Sequence, residues 1–158
     1  QRTLLDAEAG KGSTGRDRRE TVSLAAVTRL MKGSRMSHIG KSHLVIMFTV
    51  GPDDVAEGDR IFASHAEWMK GHPREGDVAL LDYTISKGLE LSNPMDPSSE
   101  PTGKTIFVLD EYYESPAGIA RHWQDGMDNW PDLSAVMAWG AKGSVATLHN
   151  GSAVQALW

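Results

Sequence analysis

From Ser42 onward the chain alternates between two hydrophobic periods, and that alternation predicts its elements. Over residues 43–50, Leu44, Ile46, Phe48 and Val50 share one side, and His43, Val45, Met47 and Thr49 share the other. A period of two predicts a strand. Gly51-Pro52-Asp53-Asp54 then stops it and suits the first turn of a helix, where proline's missing N–H is not needed and carboxylates meet the positive helix end. Val55, Gly58, Ile61, Phe62, His65 and Met69 recur at helical spacing, and Gly71-His72-Pro73 ends the helix. Residues 78–86 predict a second strand, with Ala79, Leu81, Tyr83 and Ile85 on one side and Val78, Leu80, Asp82, Thr84 and Ser86 on the other. Residues 88–103, with Pro94, Pro97 and Pro101, read as a long loop. A third strand is expected over residues 105–109, leaving through Asp110-Glu111-Tyr112-Tyr113. Ser115-Pro116 supplies a cap and first-turn proline for a helix that carries Ile119, His122, Trp123, Gly126 and Met127 on one stripe. After Asn129-Trp130-Pro131, Leu133, Val136 and Met137 mark a shorter helix. Residues 145–149 and 153–158 flank Asn150-Gly151, a strong hairpin-turn signal.

The resulting order, β-α-β-β-α-α-β-β, contains the β-α-β-β-α-β unit of the ferredoxin-like fold. The predicted class is α+β, an antiparallel sheet with helices on one face. The other face of the sheet is mixed, with Val45 and Met47 beside His43, and Val78 and Leu80 beside Asp82. Left bare, it would be an apolar patch on a monomer. A homodimer joined through that face is therefore expected, with His43, Asp82 and Thr84 among the polar residues turned toward the space between the two sheets.

The first 35 residues follow no such pattern. Residues 1–19 are rich in Gly, Ser and charge and read as disordered, while residues 21–31 offer a weak basic helix. The expected organisation is a basic extension over residues 1–35, alternatively a docking arm, and one folded domain over residues 36–158. The domain's 40% hydrophobic composition across the chain suffices for a single core. Charge is unevenly placed: through Lys41 nine Lys/Arg stand against four Asp/Glu, and beyond it seven against seventeen. The basic stretch has no aromatic residue to stack on bases, and the acidic remainder repels phosphate, so no nucleic-acid partner is expected. With no cysteine, no leader pattern and no apolar run near the roughly eighteen residues of a span, the expectation is a soluble cytoplasmic protein with no membrane partner.

The run from Phe107 through Glu111-Tyr112-Tyr113 to Ala117, followed by Ala120-Arg121-His122, resembles the pattern of the antibiotic biosynthesis monooxygenase-like proteins of the dimeric α+β barrel superfamily. In them a strand ends in Glu plus an aromatic residue, and the next helix carries a His. The resemblance covers residues 42–148 by element order, and Glu111 and His122 by motif. It implies a homodimeric barrel with a cavity in each protomer. Some members oxidise aromatic polyketides with neither metal nor flavin, and others degrade haem. On this ground the partner is a hydrophobic, aromatic small molecule and no cofactor is expected. Three features depart from the family: the long 88–103 segment, the terminal Asn150-Gly151 hairpin, and a first strand without the Asn of haem-degrading members. The last argues against haem degradation and leaves haem ligation by His122 open.

His122 is the residue placed at the chemistry. Within an apolar stripe it reads first as a satisfied core residue hydrogen-bonded to Glu111, and second as a ligand anchor or proton shuttle titrating near neutrality. His65, in the stripe of the first helix, poses the same choice. Trp123 and Tyr112 are the expected wall residues, with His43 and Asp82 as polar contacts to a ligand. No metal site is expected: the six His are scattered without an HxH or HxxxH pair, and Asp110 and Glu111 point to opposite faces of a strand. The Gly10–Gly15 run lacks phosphate-loop spacing, and G-x-S-x-G is absent. Two functions stand side by side: a cofactor-independent monooxygenase-like oxidoreductase, and a non-catalytic ligand-binding or structural dimer. A third would use residues 88–103 and the basic arm as an interaction module.

Overall fold

A computed structural model describes residues 37–157; the expected extension over residues 1–35 lies outside the described residues. Strand β1 (Ser42–Val50) passes through a 3-10 turn (Pro52–Asp54) into helix α1 (Val55–Met69). Then come β2 (Leu80–Leu91), β3 (Pro101–Tyr113), α2 (Pro116–Asn129), α3 (Leu133–Gly140) and β4 (Ser144–Ser152). The four strands form one antiparallel sheet in the order β2-β3-β1-β4, which is compatible with the ferredoxin-like arrangement. No helix among the described residues is long and apolar enough to cross a membrane.

Alternation places Leu44, Phe48 and Val50 of β1 and Phe107, Leu109 and Tyr113 of β3 on the face that meets the helices, all buried. Ile61, Phe62 and Met69 of α1, Ile119 of α2, and Val136 and Trp139 of α3 close over them. Each such side chain removed from water stabilises the fold by about 1.5–3 kcal/mol. Two glycines let the helices lie low on the sheet. A Cβ at Gly58 would come within 2.5 Å of the Trp139 ring, and one at Gly118 within 2.8 Å of the Tyr113 ring. The Ser115 hydroxyl accepts the Ala117 N–H and Pro116 opens α2, as the sequence pattern predicts.

Four expectations change. Strand β3 does not end at Leu109: its acidic-aromatic exit keeps pairing with β1 and β2 as far as Tyr113. The long 88–103 loop is mostly hairpin, because β2 runs to Leu91 and pairs it with Pro101; residues 92–100 alone turn, closed by Ser92 N–H to the Glu100 carbonyl. Gly88 and the prolines look like breakers in sequence, yet Pro101 merely starts a strand, where a missing donor costs little. Leu80 does not face outward with Asp82. A register shift between the two turns Leu80 into the core against Leu44, Met69 and Tyr113, and Val78 precedes the strand altogether. Finally, Asn150-Gly151 is not a hairpin turn. Strand β4 runs through it, Asn150 adopts φ 56°, and the pairing slips between His43↔Gly151 and Val45↔Leu148. The Asn-Gly pair supplies the left-handed backbone of a bulge, and Ala153 makes only a parallel bridge to Ile39.

Candidate functional site

The helices do not cover the sheet evenly. They sit over β1, β2 and β3, while edge strand β4 keeps its residues exposed. Between this edge and the helices lies a cleft of about 410 Å³. Ile46, Phe48 and Leu109 form its sheet side, Trp68, Trp123 and Trp130 its helical walls, and Met137, Val145 and Thr147 its rim. This size and apolar lining suit a small organic guest. Met137, one of the residues that mark α3 in the sequence pattern, is largely exposed at this rim.

At one end the apolar wall gives way to a polar floor. His65 projects from α1 and His122 from α2, both lining the cleft and both buried; Glu111, from β3, lies beside them with no exposed surface. His65 Nδ1 is 3.0 Å from the Tyr83 hydroxyl, and His122 Nδ1 shares a hydrogen bond of 3.2 Å with His72 Nε2. The Tyr113 hydroxyl donates to Glu111 Oε2 at 2.7 Å, while Glu111 Oε1 has no partner among the described residues. Glu111 is therefore not hydrogen-bonded to His122 as the sequence suggested. Their nearest atoms stand 3.9 Å apart, and each spends its hydrogen bond on another neighbour.

Burial sets the charge of this floor. It holds both His65 and His122 down to about 3, with His72 as a further like-charge influence on each. Burial also lowers His72 and raises Glu111 to about 7, against the lowering effect of the Tyr113 hydrogen bond. Near neutral pH the imidazoles are uncharged, and the Glu111 carboxyl is about half ionised. The indole N–H of Trp123 is likewise buried without an acceptor among the described residues. A guest carrying a carbonyl or hydroxyl oxygen could supply one.

The residues singled out from sequence thus divide between the two faces of the sheet. His122 and Trp123 meet at the cleft. His43, Tyr112 and Asp82 lie on the opposite face, where the His43 and Tyr112 rings stack 4.0 Å apart, with His38 on the far side of Tyr112 at 4.2 Å. His43 Nε2 meets Asp110 Oδ1 at 2.8 Å, and Asp82 Oδ2 stands 3.6 Å from His38 Nε2. A single small guest cannot touch both groups. The sequence pattern pairs Glu111 with His122 but does not bring His65 and His72 to them, because no two of the histidines stand at metal-ligand spacing in one helix. The available signal was weaker: His65 and His122 occupy apolar stripes of two helices that pack on the same sheet face. No family model matches the chain, and no curated protein matches it.

Proposed function

We propose that the protein binds a hydrophobic, flat, aromatic small molecule in the cleft and works as a homodimeric α+β barrel of monooxygenase-like character. The observation that carries this reading is the cleft itself: three Trp walls, an unpaired indole N–H at Trp123, and a polar floor at His122. Aromatic walls hold a flat ring by stacking and area burial, and the polar groups orient its oxygen. His122, kept neutral by burial, would meet a guest hydroxyl as a hydrogen-bond acceptor. An imidazole so depressed is a weak base, which favours binding and orientation over proton abstraction as its first contribution.

Gly126 offers a clean test. It lines the cleft, and a Cβ there would meet only Trp68 Cη2, at an ordinary 3.6 Å. Gly126→Leu should fill the cleft and strengthen the helix, since Gly costs about 1 kcal/mol in a helix interior. The expected result is tryptophan quenching on titration with 1-naphthol, weakened about ten-fold or more in Gly126→Leu while its melting temperature holds or rises. Equal affinity in parent and variant would place the guest elsewhere and end this reading.

The dimer reading rests on the helix-free face, where Val45, Met47, Ile106, Val108 and Leu148 alternate away from the core. Met47 and Leu148 are 39% and 48% exposed, large for residues at mid-strand. Sedimentation should give a dimer at micromolar concentration, and Met47→Glu a monomer with the parent's circular dichroism. A monomeric parent would refute it.

A further inference from the structure

We propose that His65, Glu111 and His122 form a binding site for one divalent first-row transition-metal ion, with an open coordination position facing the cleft. Three elements distant in sequence bring their donors together here, α1, β3 and α2, and these donor atoms all lie within 4.8 Å of one another. Donors around a four-coordinate ion at 2.0–2.1 Å stand about 3.3 Å apart, so side-chain movements of about an ångström close the site. Two imidazoles and one carboxylate are a donor set that zinc and non-haem iron both accept.

Three further observations point the same way. Each ring has its Nδ1 engaged, His65 with the Tyr83 hydroxyl and His122 with His72 Nε2. Metal-ligating histidines carry such outer partners, and with Nδ1–H as the donor in each pair the ring is fixed and the other nitrogen's lone pair is left for the ion. Glu111 is fully buried, yet among the described residues the nearest potential cations are the uncharged rings of His122, at 3.9 Å, and His65, and its Oε1 has no partner there. A buried carboxylate without a counter-charge is costly, and a divalent ion would supply that charge and take the orphaned oxygen. Lastly, His65 and His122 line the cleft while Glu111 lies behind them, so the remaining coordination positions face the guest space. The inference goes beyond guest binding, which needs no ion, and it replaces the expectation of a cofactor-free site.

The test titrates the chelator-stripped full chain with Zn²⁺ by calorimetry and with Co²⁺ by visible absorption. Expected are one ion per chain, micromolar or tighter affinity, Co²⁺ bands of a four- or five-coordinate site, and a band shift when azide is added. Glu111→Gln and His65→Gln should each weaken binding about a hundred-fold or more, and His72→Phe about ten-fold, the effect of losing an outer partner. His43→Gln, on the other face of the sheet, should bind as the parent does. Absence of binding by the parent overturns the proposal, whatever the variants do. So does a six-coordinate Co²⁺ spectrum, a spectrum indifferent to azide, affinity retained in both Glu111→Gln and His65→Gln, or affinity lost in His43→Gln. The naphthol titration is run on stripped protein, so failure of either reading leaves the other standing.

Discussion

Lowering the pH from about 7 to about 4 is expected to cost the metal-free protein on the order of 4 kcal/mol of stability, chiefly through His65 and His122. Burial holds both imidazoles down to about 3, against 6.5 for an ordinary histidine. A depressed group confers its full stability above its unfolded value and loses it as the pH falls toward the folded one. The loss therefore begins near pH 6.5, where the unfolded chain takes up two protons that the native site refuses. Glu111 acts with the opposite sign. Raised from 4.5 to about 7, it gives the native state a proton that the unfolded chain lacks between those values, offsetting one of the two. The expected slope is thus about one proton between pH 6.5 and 4.5, and about two below it, at about 1.4 kcal/mol per proton and pH unit. His72, also lowered by burial, adds to the loss in the same direction. A total near 4 kcal/mol is a large share of the 5–15 kcal/mol typical of a domain, so the acid limb should bring the midpoint of melting down steeply. Thermal melts of chelator-treated protein across this range check it. The His65→Gln/His122→Gln double variant should show a much flatter acid limb. Parallel curves for parent and double variant would assign the acid sensitivity to other groups.

The sequence made the sheet-facing side of the domain legible because that side obeys one rule at a time. Leu44, Phe48, Ile61, Phe62, Phe107, Leu109 and Ile119 are core residues both by period and by burial. What misled was local chemistry that has two uses. Asn150-Gly151 supplies left-handed backbone equally well to a hairpin turn and to a bulge, and β1, paired alongside, selects the bulge. Leu80 matched the period of Asp82 until a single register shift reversed it, an event without a sequence signature in an otherwise regular strand. The candidate site was legible only in halves. His122 and Trp123 stand adjacent on a helix and could be named together. The motif pairs Glu111 with His122, and His65 joins them through packing of α1, a relation that no spacing along the chain records. His43 and Asp82 lie on the helix-free face, as their strand periods predict, and Tyr112, expected as a wall beside Trp123, lies there with them.

Glu111→Gln is expected to stabilise the metal-free protein by about 3 kcal/mol near pH 8.5, and to change it little near pH 5. The carboxyl is raised to about 7, so its favourable contribution is complete below 4.5 and disappears as the pH rises through about 7. Above that point the native state holds a carboxylate, fully buried, at a cost of about 1.4 kcal/mol for each unit of the shift. Glutamine keeps the shape, accepts the Tyr113 hydroxyl on its carbonyl oxygen, and places an uncharged amide where the orphaned oxygen stands. Near pH 5 the parent's own carboxyl is protonated in the native state and the difference falls below about 1 kcal/mol. Urea unfolding of stripped protein at the two pH values measures both quantities, and a variant less stable than the parent at both would show that the carboxylate is a structural asset. Saturating zinc should then close most of that gap. At a hundred times the dissociation constant the parent gains about 2.7 kcal/mol by mass action, whereas the variant, deprived of a ligand, gains almost nothing. A residue kept only for packing would leave the gap between parent and variant unchanged as zinc is added. That recovery would explain why a fully buried glutamate stands near the end of a strand whose nearest inward neighbours, Phe107, Leu109 and Tyr113, are apolar or aromatic: the fold bears the charge in order to hold the ion.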